Sequence, residues 1–110
     1  DGDELVGYGC AERLAPAPAP PHPRAPEGWY LTGVVVDPAH RRRGVGAALT
    51  AARLAWIARR AREAFYFASA ANRPTLDLHA HHGFREVTRD FAFPGVTFTG
   101  GVGVLFRVDL

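Results

Sequence analysis

The sequence predicts an α/β (α+β) domain built on a mixed, mostly antiparallel sheet. Three observations lead there. The β-branched run Val34-Val35-Val36 is followed by a turn, a helical stretch and the short apolar run Phe65 to Ala68. A strand, a crossover helix and a parallel strand form a right-handed unit, so these two strands lie side by side in parallel. Leu5 to Leu14 reads as a further strand before them. Phe84 to Phe93 and Gly103 to Leu110 read as an antiparallel pair after them, joined by a loop over 94–101.

At 110 residues the chain is one small domain with a modest core, and no internal repeat divides it. An apolar fraction of 47% makes it globular rather than disordered. No apolar stretch reaches membrane-spanning length, and no signal-peptide pattern is visible. The single Cys10 cannot close an internal disulfide, which fits a reducing cytosol, so a cytoplasmic protein is expected. The formal net charge is only +2, but all thirteen basic residues are arginine. The Ala, Arg, Pro and Gly content is bacterial-like, as in high-GC coding, and explains most of the arginines but little of the cluster at 41–43. A nucleic-acid partner is not expected, because the charge is modest and no reading motif is present.

The elements follow in order. Gly7 and Gly9 weaken the first strand. Ala15 to Pro26 is proline-rich and predicts a semi-rigid extended loop, an insertion over 15–28 between two strands. Trp29 to Val36 is the next strand, and Asp37-Pro38 ends it because proline lacks a donor. A helix is expected from Gly46 to about Glu63. Val45, Leu49, Ala52 and Trp56 share one of its faces, with Arg53 and Arg60 on another. A second helix starts near Asn72 or Arg73, has Pro74 in its first turn, and stops at Gly83. Its last turn holds His81 and His82, where cations are favoured. Phe91 and Phe93 alternate as one core face of a strand.

The most informative stretch is Val36-Asp37-Pro38-Ala39-His40-Arg41-Arg42-Arg43-Gly44-Val45-Gly46-Ala47. Gly44 and Gly46 let the backbone approach a ligand closely. The helix that begins there offers free N–H groups and a positive dipole end, a site for an anionic phosphate. It is not a Walker A loop, since the chain contains no lysine. It is not a dinucleotide fingerprint, since no third glycine follows in register.

The pattern V-x-P-x-x-R-x-x-G-x-G-A closely resembles the acetyl-CoA pyrophosphate motif of the GNAT superfamily of N-acetyltransferases. Asn72-Arg73-Pro74-Thr75-Leu76-Asp77-Leu78-His79-Ala80-His81-His82-Gly83-Phe84 is similar to that family's N-x-x-A-x-x-x-Y-x-x-x-G-F helix. The two motifs stand in the family's order, and the resemblance runs from about Leu5 to Leu110. It implies a single GNAT-like domain over 1–110 with one splayed parallel strand pair and helices on both faces. It further implies that a strand and helices precede Asp1. Asp1-Gly2-Asp3-Glu4, which reads as a hairpin turn with no strand before it, points the same way.

The resemblance makes acetyl-CoA the acyl donor. Its arm would pair with the backbone of Val34, Val35 and Val36. Its pyrophosphate would sit on the amides of Arg42 to Ala47, with Arg41 at the family's R/Q position and Arg43 either a phosphate contact or a solvated charge. His79 occupies the position where the family usually carries tyrosine, thought to protonate the departing sulfur. Histidine suits that task, since its reference pKa is about 6.5. Asn72 matches a cofactor-contacting position, and a helix cap is its other reading. Glu12 is a candidate base for the amine or a surface carboxylate, and Thr32 and Phe98 are candidate acceptor contacts. His79 and His82 are three apart, but no third ligand is evident, so no metal is expected.

The expected activity is N-acetyl transfer to a primary amine of a small molecule or protein, directly in a ternary complex. The alternative is a non-catalytic CoA-binding or partner-binding domain. No membrane partner is expected, and a homodimer is compatible with the resemblance.

Overall fold

The computed structural model describes residues 7–18, 20–36, 45–93, 96 and 98–110. Among these, strands β1 (Gly7–Leu14), β2 (Gly28–Val36), β3 (Glu63–Ser69), β4 (Arg85–Thr88) and β5 (Gly103–Asp109) form one sheet in the order β1-β2-β3-β5-β4. Helix α1 (Val45–Ala58) links β2 to β3, and α2 (Arg73–His81) links β3 to β4. Only β2 and β3 are parallel; the other neighbours are antiparallel. The mixed sheet with one parallel pair is therefore as the sequence predicts.

Alternation along the strands divides the core into two layers. Leu31, Ala64, Tyr66 and Val108 cluster with Ile57 of α1 and with Phe84. Tyr30, Phe65 and Leu105 face the other way and pack with Leu14, Phe67, Phe91 and Phe93. Both described helices lie on the Tyr66 face: α1 through Ile57, and α2 through His79, which stacks on Tyr66. On the Tyr30 face the described residues place a short 3₁₀ turn over Thr99–Gly101, next to Phe98, which packs against Phe67 and Phe91. Loops cover the rest of it.

One of those loops is the proline-rich segment. It does not part β1 from β2, which stay paired down to Leu14 and Gly28. The amide of Ala25 donates to the Ala92 carbonyl, and that of Ala92 to the Pro23 carbonyl. The buried Tyr30 hydroxyl donates to the Pro26 carbonyl at 2.6 Å, which satisfies the one polar atom that a tyrosine brings into a core.

Three element boundaries differ from expectation, each for a local reason. α1 ends at Ala58 rather than near Glu63 because the amides of Arg60 and Ala61 both turn back to the Ile57 carbonyl. Arg60 also donates to the Trp56 carbonyl and lays its guanidinium 3.5 Å over the Trp56 ring. β3 lengthens to Glu63–Ser69 because β5 pairs with it throughout, from Glu63 with Asp109 to Ser69 with Gly103. The strand expected over 84–93 stops at Thr88, whose hydroxyl bonds both the amide and the carbonyl of Asp90 and turns the chain.

The face of α1 is also rotated. Among its described side chains Thr50, Arg53 and Ile57 are buried, whereas Leu49, Ala52 and Trp56 line, together with an edge of Arg53, an open groove of about 330 Å³ beside Ala11. The polar residues of the buried face carry their own partners: Thr50 Oγ1 donates to the Gly46 carbonyl and Arg53 Nε to that of Leu49. Trp56 stays 41% exposed, edge-on to Trp29 at 5.1 Å.

Phe91 and Phe93 join the core as expected. Phe98 sits over Gly103, so close that a methyl there would overlap its ring. The ring is held edge-on by Phe67 and Phe91, each at 5.9 Å. Gly103→Ala should therefore lower unfolding free energy by about 1–3 kcal/mol, the usual range for overpacking. A urea midpoint equal to that of the wild type would show that Phe98 moves aside freely.

Candidate active site

β2 and β3 register at Tyr30 and Phe65, near their first residues, and share no further register pair. The strands part beyond that point. On its other edge β2 carries an irregularity: Gly9 pairs with Val34 and Cys10 with Thr32, so Gly33 has no register partner. Such a bulge bends a strand and increases its twist. The β3-facing backbone beyond Thr32 has no register partner in β3 among the described residues.

A cavity of about 340 Å³ opens where the strands part. Leu31 and Thr32 of β2 form one wall, and Tyr66, Phe67, Ala68 and Ser69 of β3 the opposite one. α1 contributes Arg53, and the start and inner face of α2 contribute Asn72, Thr75 and His79. Two buried polar atoms on this lining have no hydrogen-bond partner among the described residues, Thr32 Oγ1 and His79 Nε2. A buried polar group without a partner costs about 1–3 kcal/mol, so two in one cavity mark a place that a ligand completes.

His79 is held on three sides. Its ring stacks on Tyr66 with centroids 3.6 Å apart and planes 4° from parallel, and Phe84 lies edge-on at 5.4 Å. Its Nδ1 lies 2.8 Å from the Thr75 carbonyl oxygen. A carbonyl only accepts, so Nδ1 carries the proton and Nε2 presents a lone pair. The Thr75 hydroxyl accepts from Tyr66 OH at 2.8 Å. Burial lowers His79 to about 4; the Thr75 hydrogen bond opposes this, while Arg53 and His82 add to it. Burial likewise pushes Tyr66 up to about 12, so it remains a donor. The imidazole is neutral at physiological pH, and its Nε2 is a buried acceptor without a partner among the described residues, on a residue that lines the cavity.

The α2 backbone explains this placement. Pro occupies the first turn, where its missing N–H costs nothing, and Gly83 at φ +88° stops the helix. Thr75 and His79 then fall one above the other on the inward face, as a spacing of four requires. Asn72 precedes the helix without a side-chain cap bond, and it lines the cavity instead.

The other expected site residues fall as follows. Thr32 lines the cavity. Phe98 lies one layer behind its wall, against Phe67. Glu12 is exposed on β1 and lines neither cavity nor groove. Val34, Val35 and Val36 form the last rungs of the β2 ladder with β1, beyond the point where β3 registers. Val45, Gly46 and Ala47 open α1, while Arg41, Arg42, Arg43 and Gly44 lie outside the described residues. The sequence reading missed Arg53, Tyr66 and Thr75. Two signals were available: Thr75 stands four residues before His79, and Thr50, Arg53 and Ile57 recur at helical spacing.

The described residues thus form a mixed sheet that parts between two parallel strands, with a lined cavity in the gap. Residues 1–84 match the Acetyltransferase (GNAT) family in sequence, and the chain belongs to that family. Among curated proteins none matches it in sequence. Three solved structures resemble it closely in fold. Arabidopsis thaliana NAA60 in complex with acetyl-CoA has a TM-score of 0.73 at 22% identity, covering 100% of this chain and 70% of that one. The NatC complex bound to Gag peptide and CoA has a TM-score of 0.72 at 16% identity, covering 100% and 64%. A ribosomal-protein-alanine N-acetyltransferase from Brucella melitensis has a TM-score of 0.70 at 20% identity, covering 100% and 65%. The chain thus spans about two thirds of the length of these structures.

Proposed function

We propose that the chain is an acetyl-CoA-dependent N-acetyltransferase that moves the acetyl group to a primary amine by direct transfer in a ternary complex. The observation that carries this reading is the lone pair of His79 Nε2, buried and unpartnered in the cavity between the parted strands. The walls suit a slender arm: Leu31, Phe67 and Ala68 offer apolar surface, and the β2 backbone beyond Thr32 offers amide pairing. Acetyl-CoA supplies an activated thioester. The amides at Gly46 and Ala47 in the first turn of α1 would receive its diphosphate, since the free N–H groups of a helix start favour anions.

His79 then has a defined task. As the amine nitrogen bonds to the thioester carbon, Nε2 accepts the proton that nitrogen must lose. When the carbon–sulfur bond breaks, the imidazolium returns that proton to sulfur. Protons balance, and the residue ends neutral as it began. Its role as an acid toward sulfur, implied by its place in the helix motif, is thus preceded by one as a base.

The acceptor class within this reading is a small molecule or a protein amine. The test is thiol release from acetyl-CoA with a panel of amines, alongside calorimetric titration of acetyl-CoA. Gly46→Glu serves as control: a carboxylate suits a helix start but repels a diphosphate. Micromolar binding and turnover, both lost in the variant, are the expected result. Tight binding with no turnover for any amine would leave a non-catalytic CoA-binding domain.

A further inference from the structure

Arg53 is the most unusual residue of the interior. It is 7% exposed, yet among the described residues no carboxylate lies within ion-pair distance of it. Burial lowers its pKa, as it must for a desolvated cation. Three neutral acceptors hold it: the carbonyls of Leu49 and Cys10, and the Thr50 hydroxyl. A guanidinium has five N–H groups in a fixed fork, so two have no acceptor among the described residues. Buried charges are normally paired, because an uncompensated one costs several kcal/mol. Arg53 lines the same cavity as the two orphaned atoms, Thr32 Oγ1 and His79 Nε2.

Among the described residues no anion meets this cation, and the acyl donor does not supply one. The proposed diphosphate position is the first turn of α1. Arg53 stands seven residues beyond Gly46, roughly 10 Å along the axis at the helical rise. Its side chain is tied to Leu49, Thr50 and the β1 carbonyl of Cys10. The arm of the donor and the acetyl group itself are uncharged, and the donor's remaining phosphate sits on its adenosine, on the far side of the diphosphate from the thioester. What remains is the acceptor.

We infer that the acceptor is a primary amine that also carries a carboxylate, an amino-acid-like small molecule. Its carboxylate is received by the two free N–H groups of Arg53 and by the Thr32 hydroxyl, and its nitrogen faces His79 Nε2. A planar guanidinium is suited to this pairing, since its fork matches a carboxylate in two bonds. This one class of molecule meets both orphaned atoms of the cavity, a hydroxyl donor and a nitrogen acceptor, and the cation beside them. The inference rests on the acetyltransferase reading above.

The test compares matched acceptors that differ only in the carboxylate: glycine with methylamine, alanine with ethylamine, phenylalanine with phenethylamine. Transfer is followed as thiol release from acetyl-CoA. In the wild type the carboxylate member of each pair should have a kcat/KM at least about ten-fold higher, equivalent to one charge-assisted pairing. Arg53→Gln should bring the ratio near one, and Arg53→Lys should keep part of it. Acetyl-CoA affinity should be little changed in both, which separates recognition of the acceptor from collapse of the fold. A wild type that acetylates amines without regard to the carboxylate overturns the inference and leaves the acetyltransferase reading intact. So does an Arg53→Gln variant that slows every acceptor equally, since Arg53 would then serve charge formed during the reaction. If no amine is acetylated, the activity reading fails, and titration of the same amino acids and amines into the CoA-saturated protein decides separately. Binding of the carboxylate members alone, lost in Arg53→Gln, upholds the site; binding of neither overturns it.

Discussion

His79→Phe should lower kcat by about 10²- to 10³-fold, within the range that a positioned acid–base group contributes. Phenylalanine keeps an aromatic ring against Tyr66 and removes both nitrogens, so the stack at 3.6 Å survives while proton transfer does not. Acetyl-CoA affinity should change little, because no step of binding uses Nε2. The wild-type pH profile carries a second signature. Histidine in water loses its proton near pH 6.5. With His79 held at about 4, kcat for an acceptor already deprotonated should stay level through pH 6.5 and fall only as pH approaches the lower value. Steady-state kinetics of the two chains across pH 5–9 settles both points. An unchanged kcat in the variant would remove His79 from the chemistry, and weaker acetyl-CoA binding would make it a wall of the donor site.

The strand–helix–strand unit was legible because its signals are local: a β-branched run, a proline stop and a helical stretch. The helix over 73–81 was legible for the same reason, with proline at its start and glycine beyond its end. What the sequence concealed was rotation about the helix axis. Leu49, Ala52 and Trp56 form the more apolar stripe of α1, yet the buried face is Thr50, Arg53 and Ile57. Periodicity weighs hydrophobicity, whereas burial here tolerates polar groups that bond within the helix or across to β1. The tautomer of His79 was hidden too. It is set by a backbone carbonyl four residues earlier, and no composition or motif records which way a ring nitrogen points. The same holds for the end of the strand after Phe84, decided by one threonine hydroxyl.

Keeping a neutral histidine in the interior has a cost that shows in stability. Between pH 6.5 and 4 an unfolded chain protonates this residue, while the folded chain does not until about pH 4. The unfolded state therefore binds more protons throughout that window, and folding free energy must weaken as pH falls across it. The contribution is intact above pH 6.5 and fully lost below about 4. A shift of this size corresponds to about 3 kcal/mol, a large part of the stability of a small domain. Urea denaturation of the wild type and of His79→Phe at pH 7, 6, 5 and 4.5 isolates it, since the carboxylates titrate alike in both chains. The variant, with no base to protonate in its unfolded state, should lose markedly less stability over that range. Parallel losses in the two chains would mean that His79 is protonated inside the fold as readily as outside. Nε2 would then enter the reaction already carrying a proton, and the base toward the amine would have to be sought elsewhere. The equilibrium measurement thus constrains the direction of proton transfer without any turnover at all.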